Sequence, residues 1–183
     1  MVIAKRGYGR ASVDSIVERA GLSKGTFYWH FKSKEQLFLA LIEERIDRPV
    51  RSLMEITRTA PAQTATAPTV SRGLADLFEG RRELLVLVQE YWALALRSEP
   101  VRRHYRRRQK AQTKTLADAL RARHHETGVP LTLPAETLAT AFIALAQGLA
   151  IEMTLRPEAT DPKLYGQVLS LVYDGIASRR QGT

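Results

Sequence analysis

The chain has no cysteine among its 183 residues, which excludes disulfides, thiol nucleophiles and thiolate metal sites. Histidine is scarce, with four in all. Two of these, His124 and His125, are adjacent, and on a helix they point roughly 100° apart. No third ligand accompanies them, so no metal site is expected. Long apolar runs are also missing. The longest uncharged stretch, Thr137 to Ile151, has fifteen residues. That is short of the ~20 a membrane helix needs, and it reads as a buried helix. Met1 to Gly9 lacks the apolar core of a secretory signal. There is no Gly-rich phosphate loop and no Gly-x-Ser-x-Gly elbow. Carboxylates are spread over the chain without forming a catalytic pair. We therefore expect no enzyme, no cofactor and no membrane partner. A cysteine-free chain is compatible with the reducing cytoplasm, where we place it.

What the chain has in excess is positive charge. It carries 28 Lys and Arg against 19 Asp and Glu, a formal net charge of +9. Residues 1 to 34 alone hold seven basic and two acidic side chains, a net +5. Such density favours an anionic partner, because neutralised phosphates release counterions. The apolar fraction of 44% is that of a globular protein rather than a disordered one.

Strand signals are few, and apolar residues recur at spacings of three and four, so the expected fold class is all-α. Ser12 caps a short helix with Val13, Ile16, Val17 and Ala20 on its inner face. Gly21 ends it, since glycine accepts the left-handed backbone of a tight turn. Ser23 opens a second short helix with Phe27 and Phe31 turned to the core. Ser33 caps a third, which buries Leu37, Phe38, Leu41, Ile42 and Ile46, and the Ser33/Gln36 spacing fits a capping box. The pattern runs on to about Arg58, but Pro49 should kink or divide it. Thr59 to Thr69 reads as a linker. Further helices are expected at about Val70–Glu79, Arg82–Arg97, Ser98 to near Gly128, Pro134–Leu155, and from the Asp161-Pro162 cap onward.

The first two capped helices, joined by Ala20-Gly21-Leu22-Ser23, match helix-turn-helix geometry. The second buries Phe27 and Phe31 while presenting Thr26, Tyr28, Trp29 and His30 on the other side. Lys24, Lys32 and Lys34 flank it, with Arg6 and Arg10 upstream, as phosphate anchors should. Amides at the helix starts after Ser12 and Ser33 offer two further phosphate sites. An amphipathic hairpin with a solvated basic face fits the spacing equally well.

The stretch Ser12-Val-Asp-Ser-Ile-Val-Glu-Arg-Ala-Gly-Leu-Ser-Lys-Gly-Thr-Phe-Tyr-Trp-His-Phe-Lys-Ser-Lys-Glu-Gln-Leu-Phe38 resembles the DNA-binding signature of the TetR (tetracycline-repressor-like) family. Tyr91-Trp92-Ala93-Leu94-Ala95 and Gln147-Gly148-Leu149-Ala150 also fall where members carry similar segments. The resemblance implies a recognition helix from Lys24 to His30, including Gly25. Lys24, Tyr28 and Lys34 would hold phosphates, and Thr26, Trp29 and His30 would approach bases or the sugar edge. It further implies a palindromic double-stranded DNA operator, a C-terminal effector pocket, and a homodimer made by the last two helices. The expected organisation is a DNA-binding domain over residues 1–46 and an antiparallel helical effector-binding and dimerisation domain over 47–180. The expected function is repression, released when a small molecule changes the separation of the two recognition helices. One departure qualifies this. Members carry a full helix before the Gly-Tyr pair, whereas only six residues precede Gly7-Tyr8, with Ile3 at the place of a large apolar residue. We expect the first helix to begin upstream of Met1. The alternative is a helical ligand-binding or interaction protein that has lost DNA binding.

For the effector pocket the candidates are Met54, Phe78, Leu87, Glu90, Tyr91, Trp92, Phe142 and Gln147, with Met153 beside them. An apolar lining with a few polar handles suits a small molecule, and plain core packing is the competing reading. A buried Trp92 would want a partner for its N–H, which Gln147 or Glu90 could supply. For the dimer the candidates are the small residues Ala139, Ala146, Gly148 and Ala150, with Tyr165, Val168, Leu169, Val172 and Ile176 on the last helix. The run Arg102-Arg103-His104-Tyr105-Arg106-Arg107-Arg108, continued by Lys110 and Lys114, looks like a second nucleic-acid patch, though a solvated helix face is the plainer reading.

Overall fold

The computed structural model describes residues 2–59, 82–128 and 133–156, together with positions 72, 73, 76, 131, 158, 161, 163, 164, 166–168 and 171. Among the described residues it is helical throughout, with no strand. The helices are α1 (Val2–Arg10), α2 (Val13–Ala20), α3 (Lys24–His30), α4 (Lys34–Ile42), α5 (Arg48–Thr59), α6 (Arg82–Ala95), α7 (Glu99–Thr127) and α8 (Ala135–Leu155). A wide π turn, Glu43–Asp47, joins α4 to α5.

Two compact units result. The first holds residues 1–49 and 80–107, and the second holds 50–79 and 108–183. In the first, α6 packs against α1, α4 and the π turn. Its core gathers Ile3 from α1, Val17 from α2, Phe27 from α3, Phe38 and Ile42 from α4, and Leu87 and Tyr91 from α6. Each large apolar side chain so buried stabilises the unit by about 1.5–3 kcal/mol relative to an exposed one. The rings interlock: Tyr8 lies edge-on to Phe38, whose ring centroid is in turn 6.4 Å from that of Tyr91. Ala20 is exposed rather than part of the inner face expected for α2.

Helix boundaries follow from local capping. Ser12 and Ser15 form a reciprocal box, the Ser15 amide donating to Ser12 Oγ at 3.1 Å and the Ser12 amide to Ser15 Oγ at 3.2 Å. Gly21 adopts φ 65°, ψ 29°, and the amides of Gly21 and Leu22 close back on Glu18 and Val17. That paired closure is a Schellman motif, and it needs a residue without a Cβ penalty in the left-handed region. Ser33 Oγ accepts from the Gln36 amide at 3.1 Å. The Gln36 side chain reaches one residue further back than a capping box, accepting from the Lys32 amide at 2.6 Å.

Pro49 neither ends nor divides the helical path. Its ring would clash with the carbonyl of Arg45 in a regular α-helix. The π turn just before it widens the backbone there, and the Arg48 amide closes instead on Glu43 O. Gly7 is the other singular point. It holds φ 77°, ψ 157° inside α1, a conformation open almost only to glycine. A Cβ at that position would lie 2.9 Å from Glu90 Oε1.

In the second unit, α7 and α8 meet through small residues. Ala117, Ala135 and Ala139 are buried together, with Leu116, Leu120 and Leu131 packed around them. The ion pair Arg121–Glu136 ties the same two helices at the surface.

Candidate nucleic-acid interface

The turn between α2 and α3 sets the presentation of α3. Ser23 Oγ accepts from the Thr26 amide at 3.0 Å and shares a 2.9 Å hydrogen bond with the Thr26 hydroxyl. Phe27 is buried and its ring stacks at 5.7 Å from Phe31, so the opposite side of α3 is forced outward. That side is bare: Trp29 is 81% exposed and Tyr28 55%. Gly25, Thr26 and His30 are exposed with them, and the Trp29 and His30 rings stand edge-to-face at 4.5 Å. Two large aromatic side chains left in water on a seven-residue helix are a cost to the isolated chain, and such patches mark contact surfaces.

The flanking lysines have distinct surroundings. Lys24 pairs with Asp14 at 2.8 Å, and the hydrogen bond it donates to that carboxylate raises its pKa above the ordinary lysine value. A phosphate would replace Asp14 as its partner. The side chain of Lys32 is exposed and has no ion pair among the described residues. Lys34 is half-buried. Its ammonium donates to Tyr8 O at 2.7 Å and Ala11 O at 2.8 Å, and it sits 4.3 Å from the Tyr8 ring centroid. It therefore fastens the end of α1 to the start of α4, where the α1 carbonyls carry the negative end of the helix dipole. This fastening joins residues far apart in the chain, and no local pattern announces it. Burial, and secondarily Glu35, raise the pKa of Tyr8.

A second fastening was equally invisible. Ser98 Oγ donates to Glu35 Oε2 at 2.8 Å, holding the start of α7 against the first turn of α4. Arg102 closes the turn before it, donating to Ala95 O, Leu96 O and Glu99 Oε2.

The effector candidates fall in both units. Leu87, Glu90, Tyr91 and Trp92 lie on α6 in the first, while Met54, Phe142 and Gln147 belong to the second, as does Met153. Phe78 lies outside the described residues. Leu87 and Tyr91 are fully core, and the Tyr91 hydroxyl meets His104 Nδ1 at 2.7 Å. The N–H of Trp92 is buried and has no hydrogen-bond partner among the described residues.

Of the dimer candidates, Ala139 is turned inward and is 0% exposed, packed against α7 within its own chain. Gly148 is exposed, Ala146 and Ala150 are half-buried, and the outward stripe of α8 is instead Thr137, Ala141, Ala144 and Gly148. Ala, Thr and Gly recur on every side of α8, so hydropathy gives its faces no clear direction. Val168 is half-buried, while Tyr165, Leu169, Val172 and Ile176 lie outside the described residues.

Comparison with known proteins decides the family. Residues 1–41 match the bacterial regulatory proteins of the tetR family, and residues 68–176 match the C-terminal region of BetI-type transcriptional repressors. The chain belongs to the TetR family. Among curated members, it is 41% identical over 58 residues to the HTH-type transcriptional activator FasR of Mycolicibacterium smegmatis, covering 32% of this chain and 26% of that one. It is 32% identical over 89 residues to the fatty acid metabolism regulator protein of Bacillus subtilis, covering 48% and 45%. The matches thus span less than half the length of these two relatives. A transcriptional regulator from Pseudomonas aeruginosa PAO1 shares the TetR architecture with a TM-score of 0.78 and 26% identity, over 96% of this chain and 85% of that one. The fold class is therefore the all-α one of this family, a helix-turn-helix followed by a helical C-terminal part.

Proposed function

We propose that this TetR-family chain is a ligand-responsive transcription regulator that reads double-stranded DNA with α3. The observation that carries the reading is the outward face of α3, where Thr26, Tyr28, Trp29 and His30 stand exposed beside Lys24 and Lys32. A helix of this kind enters the major groove and reads base edges, while the lysines hold phosphates. The functional division runs from DNA binding over residues 1–46 to effector binding and dimerisation over 47–180. Ile3 supports DNA binding over the lost-function alternative, because at 1% exposure it is part of the buried core of the first unit.

The regulator works as a C2 homodimer on a palindromic operator, in the cytoplasm where that DNA lies. The outward stripe Ala141, Ala144 and Gly148 of α8 supplies its contact, since small side chains permit close approach. α8 is also long and apolar enough to cross a bilayer, but its inner face is packed on α7, and an outer apolar face suits a dimer better. An effector meets Trp92, whose buried N–H lacks an acceptor among the described residues. Leaving such a donor unsatisfied costs about 1–3 kcal/mol, which a ligand acceptor would recover. Binding there shifts the chain between states that hold the two recognition helices at different separations, and the operator requires about 34–36 Å.

The test uses a Trp29→Phe protein, in which all indole emission comes from Trp92. It is titrated with a panel of apolar compounds that includes fatty acids, since one relative is a regulator of fatty acid metabolism. A compound that shifts Trp92 emission and also releases DNA from the unmutated chain supports the reading. Compounds that release DNA with Trp92 emission unchanged remove Trp92 from the pocket.

A further inference from the structure

We propose that α7 carries a second, sequence-independent DNA contact, a stripe formed by Arg103, Arg106 and Arg107, that grips backbone phosphates flanking the site read by α3. The inference rests on the DNA-binding reading above. The basic run on α7 divides sharply in the structure. Arg102 is spent on the turn before the helix, bonded to Ala95 O, Leu96 O and Glu99. Val101 is fully buried, and the Tyr105 ring lies 5.9 Å from that of Tyr91, so this face of α7 belongs to the core. At 100° per residue, Arg103, Arg106 and Arg107 then fall within an arc of about 100° on the opposite face. Lys110 continues that arc one turn along the same helix.

All three arginines are exposed. Arg106 and Arg107 have no ion pair among the described residues, and Arg103 has only a 3.9 Å contact to Glu99. Three cations stacked with a single acidic neighbour between them, Glu99 beside Arg103, repel one another, and an anionic partner would relieve that repulsion. Their partner should be a regular polyanion. From Arg103 to Arg107 the helix rises about 6 Å, close to the separation of two successive phosphates along one DNA strand. Position favours DNA over an acidic protein. Residues 99–107 belong to the same compact unit as α3. The Ser98–Glu35 hydrogen bond sets the start of α7 beside the first turn of α4, next to Lys32 and Ser33.

The experiment selects duplexes with the wild-type chain from a pool of 30 random base pairs between fixed 20-base-pair arms. The enriched duplex is then measured with its arms and trimmed to its core. The variant is Arg103→Gln/Arg106→Gln/Arg107→Gln, since glutamine keeps comparable helix propensity. An unchanged circular dichroism spectrum and unfolding midpoint establish that it folds. On the armed duplex the salt dependence of log K should fall by about 0.9 per lost contact, up to about 2.7 per chain. That corresponds to a loss of about 100-fold in affinity at 0.15 M salt. On the trimmed core, wild type and variant should agree. Equal salt slopes on the armed duplex overturn the proposal while leaving α3 as the reader. A variant that keeps its DNA slope but loses binding to polyglutamate overturns it in favour of an acidic protein partner. If wild type enriches no sequence and binds no duplex, the DNA-binding reading falls and this inference falls with it.

Discussion

Replacing Lys34 by alanine distinguishes a phosphate anchor from a structural fastening. In the free chain its ammonium is committed to two backbone carbonyls, at 2.7 and 2.8 Å, and to the Tyr8 ring at 4.3 Å. Hydrogen bonds to charged groups contribute about 1.5–3 kcal/mol when well formed, and this site is only half-buried, so the lower end applies to each. The cation–π contact adds about 0.5–1 kcal/mol. Lys34→Ala should therefore cost about 3.5–4 kcal/mol, since Tyr8 O and Ala11 O are left to find water in a partly closed site. At roughly 2–4 °C per kcal/mol for a chain of this size, the melting temperature should fall by about 7–16 °C. Lys34→Met keeps the stem but not the charge and should lose nearly as much. Scanning calorimetry without DNA, paired with salt-dependent binding, provides the assay. A melting temperature within 1 °C of wild type together with a DNA salt slope reduced by about one would refute the fastening and restore Lys34 as a phosphate anchor.

Three further outcomes follow from other parts of the structure. Gly25 has no positive φ, and an added Cβ would meet only Ser23 Oγ at an ordinary 3.5 Å. Gly25→Ala should therefore fold as well as wild type, or up to about 1 kcal/mol better, yet bind DNA at least tenfold more weakly because the backbone there can no longer approach a phosphate. Unchanged binding would show that this turn of α3 stays clear of DNA. Ala144→Glu, entering a two-fold contact twice, should give monomers in sedimentation, and a dimer that persists would move the interface off α8. Hydrogen bonds from Lys114 and Arg121 hold the carboxyls of Asp118 and Glu136 below their ordinary values. Their contribution is present above about pH 4 and lost as pH falls through the depressed values, so the urea midpoint should drop between pH 5 and pH 3. Because both groups are exposed the drop is small, and Glu136→Gln should reduce it; an identical drop in that variant would exclude the Arg121 pair as a source.

How far the sequence disclosed all this depends on the range of the interactions. Ser12, Gly21, Ser23 and Ser33 act within four residues, and each marks its helix boundary in the structure as its side chain or backbone freedom requires. The alternation of Phe27 and Phe31 with Tyr28 and Trp29 likewise orients α3 without outside help. The contacts of Lys34, Gly7 and Ser98 are not legible in the sequence because their partners, Tyr8 and Ala11, Glu90, and Glu35, lie far along the chain. Pro49 is expected to kink or divide the helix, whereas the structure carries the helical path through it on the π turn Glu43–Asp47. On α8, alanine, threonine and glycine alternate with too little contrast to give a direction, so Ala139 was assigned to the wrong face.

The central claim is that α3 reads DNA sequence, and it is tested most directly by duplex selection with wild type and Trp29→Ala side by side. Wild type should enrich a two-fold symmetric sequence with half-sites about 10 base pairs apart, centre to centre. Trp29→Ala should keep its salt slope but lose discrimination by about 1–3 kcal/mol per half-site. Enrichment of the same sequence to the same degree by both proteins would contradict it.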